Sequence, residues 1–355
     1  MAKYDFMSFG EPNIRLTPPG HDRLGQSDML QLGIAAAELN CCVNISNMSI
    51  ERLMPTMKTA YITKLVDNWT GQYIVNQARM YGVDMSNVVV EPFDKIGRTR
   101  NGLAFVEVGI GPRASYQIYD RGHSALSKIQ PGDIDWEKTL DTRWFHTTGI
   151  VTALGEHTPG EVLAALKAAK KNGATTSFDL NYRSTLWSRE AARKAIQPLM
   201  PYIDVIFGNE ADFETMLDIR IREGSQAGYC TDPARYQEAA AMVLGQYPMI
   251  KAACTSLREI KSACLNNWQA CLLTGKGFFL SRRYEDLEIQ DRVGGGDSLA
   301  AALIWSMLQG HDEQASIDYA AAYSALCHTI RNDWNLVTRE EAYALAGGES
   351  ARVKR

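Results

Sequence analysis

Residues 144–180 do most to limit what this chain can fold into. Strand-like Trp144-Phe145-His146 leads to Thr158-Pro159-Gly160-Glu161, which has capping-box spacing with a proline at the first helical position. Val162, Leu163, Leu166 and Ala169 then recur at helical spacing. Asn172-Gly173 supplies a left-handed stop, and Thr175-Thr176-Ser177-Phe178-Asp179 reads as the next strand. Strand, helix and strand in that order make a βαβ unit, which requires a parallel sheet with helices on its faces. The rhythm continues through a short strand at Asp204-Val205-Ile206-Phe207, a helix from near Asn209, a helix over 233–246 and a strand over 249–254. Several short strands follow across 261–280, turning at Gly275 and Gly277, before two closing helices over 296–309 and 312–330, separated by Gly310.

The N-terminal third departs from this rhythm. Residues 10–32 are rich in proline, glycine and polar side chains, and no helix reads there. Across 88–118, short runs such as Leu103-Ala104-Phe105-Val106 look like strands with no helix between them. Two such insertions are expected to pair into a small sheet over the main domain. With 355 residues the chain has room for two domains or slightly more. No internal repeat, long linker or low-complexity tract divides it, and the polar, basic tail after Gly347 is expected to fray.

Composition removes several classes of function. Lys+Arg 37 against Asp+Glu 41 leaves a net charge of −4, without the basic excess of a dedicated nucleic-acid binder. No run of about 18 uncharged apolar residues offers a membrane span. Asp5 stands where a signal peptide would carry its apolar run, so a cytoplasmic protein is expected. The seven cysteines form no C-x-x-C pair, and Cys254, Cys264 and Cys271 fall in strand-like apolar segments; buried reduced thiols are expected.

The chemistry concentrates in Asp291-Arg292-Val293-Gly294-Gly295-Gly296-Asp297-Ser298, which runs directly into an apolar helix. Glycines let the backbone approach a ligand, and the helix N-terminus offers unpaired N–H groups to an anion, above all a phosphate. A carboxylate at that spot would repel phosphate. It makes sense as a base: Asp297 removes a proton from a substrate hydroxyl while the glycine amides hold the transferring group. A glycine turn with Asp297 as a plain cap is the competing reading. The segment is not a P-loop, because no Gly-Lys-Ser/Thr follows.

A Gly-x-Gly-Asp opening a late helix resembles the signature of the PfkB, or ribokinase-like, sugar kinases. The wider sequence looks closest to the 2-keto-3-deoxygluconate kinase (2-dehydro-3-deoxygluconokinase) subgroup. The segments that carry this likeness are Arg15-Leu16-Thr17-Pro18-Pro19, Tyr119-Asp120-Arg121, Phe178-Asp179-Leu180-Asn181-Tyr182-Arg183, Gly208-Asn209-Glu210 and Ser281-Arg282-Arg283-Tyr284. The resemblance implies an α/β fold: a three-layer α/β/α domain, core 1–9, 33–92 and 124–355, with a small β-sheet lid from 10–32 and 93–123. It implies ATP and Mg2+ as cofactors, a small sugar-acid substrate, and homo-oligomers formed through lid strands.

Roles follow by resemblance, position by position. Asp297 matches the catalytic base, and Gly294, Gly295 and Gly296 the anion hole. Tyr119 and Arg121 match lid residues that reach the keto acid, where a guanidinium would fork onto a carboxylate. Arg183 matches a residue between substrate and nucleotide phosphates. Ala35, Ala36, Asn40 and Asp333 match the sugar-contacting surface. Asn181, Asn209, Thr255 and Arg258, with Gly294 and Gly296, match the nucleotide side. Asp212 and Glu210 match carboxylates that organise magnesium through its waters. Asp67-Asn68 with Gly71 is read as a structural turn.

Departures from the pattern bear on the substrate. Ala35-Ala36 stand where the family has paired glycines, Ala104 where the subgroup often has tyrosine, and Cys327, Arg331 and Asn332 replace residues of a late loop. Thr255-Ser256-Leu257-Arg258 is irregular for the nucleotide side. Fructose, a deoxy-keto-gluconate isomer, or a non-catalytic sugar- or nucleotide-binding homologue are the alternatives. The retained Gly-Gly-Gly-Asp argues against the last.

Overall fold

The computed structural model describes residues 2–219 and 232–348. Its main sheet has ten strands. From one edge they run Gly277–Leu280, Leu265–Thr274, Ala252–Ser262, Val205–Phe207, Thr175–Asp179, Thr142–Thr148, Tyr4–Phe9, Thr59–Val66 and Val83–Glu91, and Tyr284–Glu288 pairs with Leu265–Thr274. Pairing is parallel from Ala252–Ser262 to Val83–Glu91 and antiparallel beyond it.

The two-residue period of these strands divides the core. Phe6, Tyr61, Trp144, Val205 and Cys254 point to one face, where the helices Ala37–Met48, Gly295–Gln309 and Glu313–Cys327 pack. Their neighbours Met7, Ile62, Phe145, Ile206 and Ala253 point to the other, under Thr158–Lys171, Glu210–Leu217 and Pro233–Gln246. The central strands are apolar on both faces, so both must be covered, and an α/β/α sandwich results. The carboxyl ends of the parallel strands place Glu11, Thr148, Asp179 and Asn209 along one rim.

A second sheet of four strands, ordered Gln31–Ala35, Asn13–Thr17, Gly102–Glu107 and Tyr116–Asp120, lies against that rim. Register sets Arg15 beside Ala104 and Ala104 beside Tyr119, so these three share one face. Two residues along, Asn13 stands beside Gly102. A Cβ on Gly102 would come within 2.1 Å of Asn13 Oδ1, so the small central residue makes room for its larger neighbours.

Several local expectations need correction. Residues 33–35 belong to the second sheet, because Gln31–Ala35 stays paired with Asn13–Thr17 as far as Ala35; the core does not resume at 33. No capping box opens the helix at Thr158. Thr158 is already helical and its hydroxyl donates to the carbonyls of Thr152 and Gly155, while Glu161 accepts the Trp136 indole N–H at 2.7 Å. The strand placed at 249–254 runs Ala252–Ser262 and forms a long hairpin with Leu265–Thr274 in place of several short strands. Asp67-Asn68 with Gly71 opens a full helix, Trp69–Met80, in which the Asn68 side chain caps the amides of Thr70 and Gly71. The last long helix stops at Cys327. Residues 349–355, most of the tail, lie outside the described residues.

Candidate active site

Asp297 sits in the first turn of Gly295–Gln309, whose N-cap Gly294 has φ 85° and contributes no side-chain cap. The left-handed φ favours glycine at 294, and the Asp333 carbonyl, 2.3 Å from an added Cβ, leaves no room for anything larger. At Gly295 a Cβ would meet the His328 ring at 2.5 Å. That imidazole donates Nδ1–H to the Ser324 carbonyl at 2.8 Å, and burial holds it neutral, with its pKa lowered to about 4. The amides of the first turn have no intrahelical acceptor, so they point outward as donors for an anion.

The Asp297 carboxylate accepts a hydrogen bond from Asn40 Nδ2 at 2.7 Å. Its pKa is raised to about 7, first by burial and then by Asp333, while Asn40 and Arg183 oppose the rise. A carboxylate that titrates near neutrality can both take and release a proton at physiological pH. Asn40 lies in the first turn of Ala37–Met48, a helix buried nearly all round. Ala36, its N-cap, has an ordinary extended backbone and a methyl packed in the core, so alanine carries no strain where paired glycines were expected. Ala35 ends its strand and is also buried.

At the edge of the second sheet, the Arg121 guanidinium lies 4.4 Å over the Tyr119 ring, and its Nε is 3.2 Å from Glu11 Oε2. Glu11 is buried and also accepts a hydrogen bond from the Ser124 hydroxyl. Tyr119 is 37% exposed, and its phenol responds to Asp333, Arg183, Arg121 and Asp297, which places these groups around one space. Arg183 follows Asn181, a residue in the left-handed region at φ 39°, and faces Asp297 and Asp179 electrostatically.

The far edge of the site is acidic. Burial, then Asp212, then Asp297 push the Asp179 carboxyl well above the usual range, and Arg183 opposes them. Asn209 and Asp212 form a capping box, with Asp212 Oδ2 accepting Asn209 N–H at 3.0 Å, and Asp212 Oδ1 accepts Tyr182 N–H at 3.2 Å. The Glu210 side chain lies outside the described residues. Among the described residues no three His, Cys, Asp or Glu side chains are grouped to hold a bare metal ion. Asp179 and Asp212, whose charges act on one another, fit a hydrated divalent cation carried in with phosphates. Thr255 donates its hydroxyl to the Gly208 carbonyl at 2.7 Å, and Arg258, on the same strand, lies near His328.

Four buried groups were given no role by the sequence reading. Arg15 is 1% exposed and bonds both Asp291 and Asp333, and Glu38 is 2% exposed, accepting the Thr148 hydroxyl at 2.5 Å. Glu11 and Asp291 complete the set. Arg15 lies in one of the segments that carry the family likeness, but nothing in the sequence marked its partners or those of Glu38.

The model of the pfkB family carbohydrate kinases matches residues 5–334. A 2-dehydro-3-deoxygalactonokinase from Haloferax volcanii is 27% identical, over 99% of each chain. A 2-dehydro-3-deoxygluconokinase from Thermoproteus tenax is 27% identical, over 94% of this chain and 90% of its own. The crystal structure of 2-dehydro-3-deoxygluconokinase from Thermotoga maritima superposes with a TM-score of 0.89 and 36% identity, covering 97% of this chain and 100% of that one.

Proposed function

The chain belongs to the pfkB family of carbohydrate kinases, and from that premise we propose that it phosphorylates 2-keto-3-deoxygluconate at its 6-hydroxyl, using ATP and magnesium. The observation that carries this reading is Asp297: a carboxylate at an open helix N-terminus, hydrogen-bonded by a neutral amide, with a pKa raised to about 7. Asp297 takes the hydroxyl proton as the oxygen attacks the γ-phosphorus, the new O–P bond forms, and ADP leaves. Amides at Gly294, Gly295 and Gly296 donate to the phosphoryl oxygens. Magnesium, when bound, neutralises the nucleotide phosphates, and Asp212 with Asp179 would hold its waters.

Arg121, backed by Glu11 and stacked on Tyr119, supplies a positioned cation for the acid's carboxylate. Arg183 spans acceptor and phosphates. Asn40, Asp333 and the backbone at Ala35-Ala36 meet the sugar hydroxyls. Asn181, Asn209, Thr255 and Arg258 line the nucleotide side. The second sheet, with its exposed edge strand Tyr116–Asp120, serves as lid and as a surface for homo-oligomers. A panel of 2-keto-3-deoxygluconate, its galactonate epimer, fructose and ribose, assayed with ATP and magnesium, tests the assignment. The gluconate form should give the highest kcat/KM. Turnover confined to a neutral sugar would overturn the keto-acid reading, and no turnover of any sugar would favour a binding homologue.

A further inference from the structure

Arg15 leaves the lid strand Asn13–Thr17 and enters the core at 1% exposure. Its Nε donates to Thr17 Oγ1 at 2.9 Å, one terminal nitrogen donates to Asp333 Oδ1 at 2.6 Å, and the other donates to Asp291 Oδ2. Both carboxylates belong to walls of the glycine loop. Asp291 Oδ1 accepts Val293 N–H at 3.1 Å, and its Oδ2 also accepts Asn332 N–H at 3.3 Å. Asp333 presses its carbonyl against Gly294 and offers Oδ2 to Asn40 Nδ2, 3.5 Å away. The same Asn40 nitrogen holds Asp297. An unbroken polar chain therefore runs from the lid through Arg15, Asp333 and Asn40 to Asp297, with a branch through Asp291 to the anion loop.

We infer that Arg15 is a positioning residue that fixes the lid sheet, the glycine loop and Asp297 in one mutual arrangement, so that seating the lid and aligning the base are a single event. This rests on Asp297 acting as the base. A planar fork suits the task because it meets two carboxylates at once at fixed angles, whereas an ammonium meets them as a point charge. A buried ion triad that served stability alone would lose activity only in proportion to the fraction unfolded. A tie between lid and base has another signature: when it is cut, water reaches the transferring phosphoryl group and ATP is spent without sugar phosphate.

The full chain is tested as Arg15→Lys, Arg15→Met and Asp291→Asn, beside Asp297→Asn, with ATP, magnesium and 2-keto-3-deoxygluconate. Thermal midpoints give the folded fraction, and ADP and sugar phosphate are counted separately. The expected result is a kcat about 10- to 100-fold lower with KM for ATP nearly unchanged. The ratio of ADP to sugar phosphate should rise above one, with methionine worse than lysine. Should Arg15→Met fail to fold, Arg15→Lys and Asp291→Asn carry the test. A kcat close to that of the parent protein, or a loss that matches the unfolded fraction with a ratio of one, overturns the inference while leaving Asp297 as base. An active Asp297→Asn removes both readings.

Discussion

Asp297 and Asp333 face each other across one amide and are kept in opposite ways. Asp333 is 2% exposed and bonded to the Arg15 guanidinium, which counters the rise in pKa that burial imposes on it. Asp297 is half-buried and receives only the neutral amide of Asn40 as its hydrogen-bond donor among the described residues. A carboxylate with a fixed countercharge is held in place and shapes its surroundings. One with a neutral partner keeps a proton affinity near that of the medium and is free to exchange. The residue beside each carboxylate thus distinguishes the roles proposed for the two.

The largest expected effect breaks this pair apart. Asp297→Asn keeps the shape and loses the base, so kcat should fall by about 10²- to 10⁴-fold. Nucleotide binding, followed by calorimetry, should persist. Near-normal turnover in that variant would mean that the proton leaves by another route. Asp333→Asn should register in stability: Arg15 would keep Asp291 but lose half of its buried compensation, costing about 3 kcal/mol in urea unfolding. Equal stability would show that the Asp333 pair is not structural, and the contrast with Asp297 would fail.

Much of the fold was legible because periodicity is local. The βαβ unit, the helix at 233–246 and the Gly-Gly-Gly-Asp loop each carry their signal within a few turns of chain. The helix Trp69–Met80 was missed because its buried stripe is Gly71, Ile74 and Ala78, two of them too small to register as apolar. Ala252–Ser262 was cut short because Arg258, Glu259 and Lys261 look like loop, although the far half of this hairpin strand is only half-buried and tolerates charge. Within the candidate site, the contiguous Gly-Gly-Gly-Asp segment was readable as a loop that opens a helix. Arg15 was not, since its partners lie 276 and 318 residues away and nothing local marks a pairing at that range.

A smaller effect sharpens the role assigned to the neutral amide. Asp297 must be ionised to accept a proton, so kcat/KM should drop by about ten-fold per pH unit below its pKa near 7. Asn40 donates to the charged form and so lowers that pKa. Asn40→Ala should therefore move the acid limb to higher pH, read from kcat/KM profiles between pH 5 and 9. A limb that stays in place would detach Asn40 from the tuning of Asp297.

Glu38 supplies the weakest but cleanest check, since it too has a neutral partner and yet lies outside the proposed chemistry. Its side chain is fitted against Gly10, where a Cβ would stand 2.1 Å from Oε2, and its donor is the Thr148 hydroxyl. Burial raises its pKa to about 7, with Asp297 adding to the rise and Thr148 and Arg121 opposing it. Raised above the unfolded value of 4.5, it contributes stability that is fully present below pH 4.5 and lost as pH climbs through 7. Glu38→Gln keeps an acceptor for Thr148 but cannot ionise. The variant should match the parent protein near pH 4.5 and exceed it at pH 8 by about 3 kcal/mol in urea unfolding. Parallel stability curves would mean that Glu38 meets a compensating charge after all. A neutral partner would then no longer mark the carboxyls in this cleft that exchange protons.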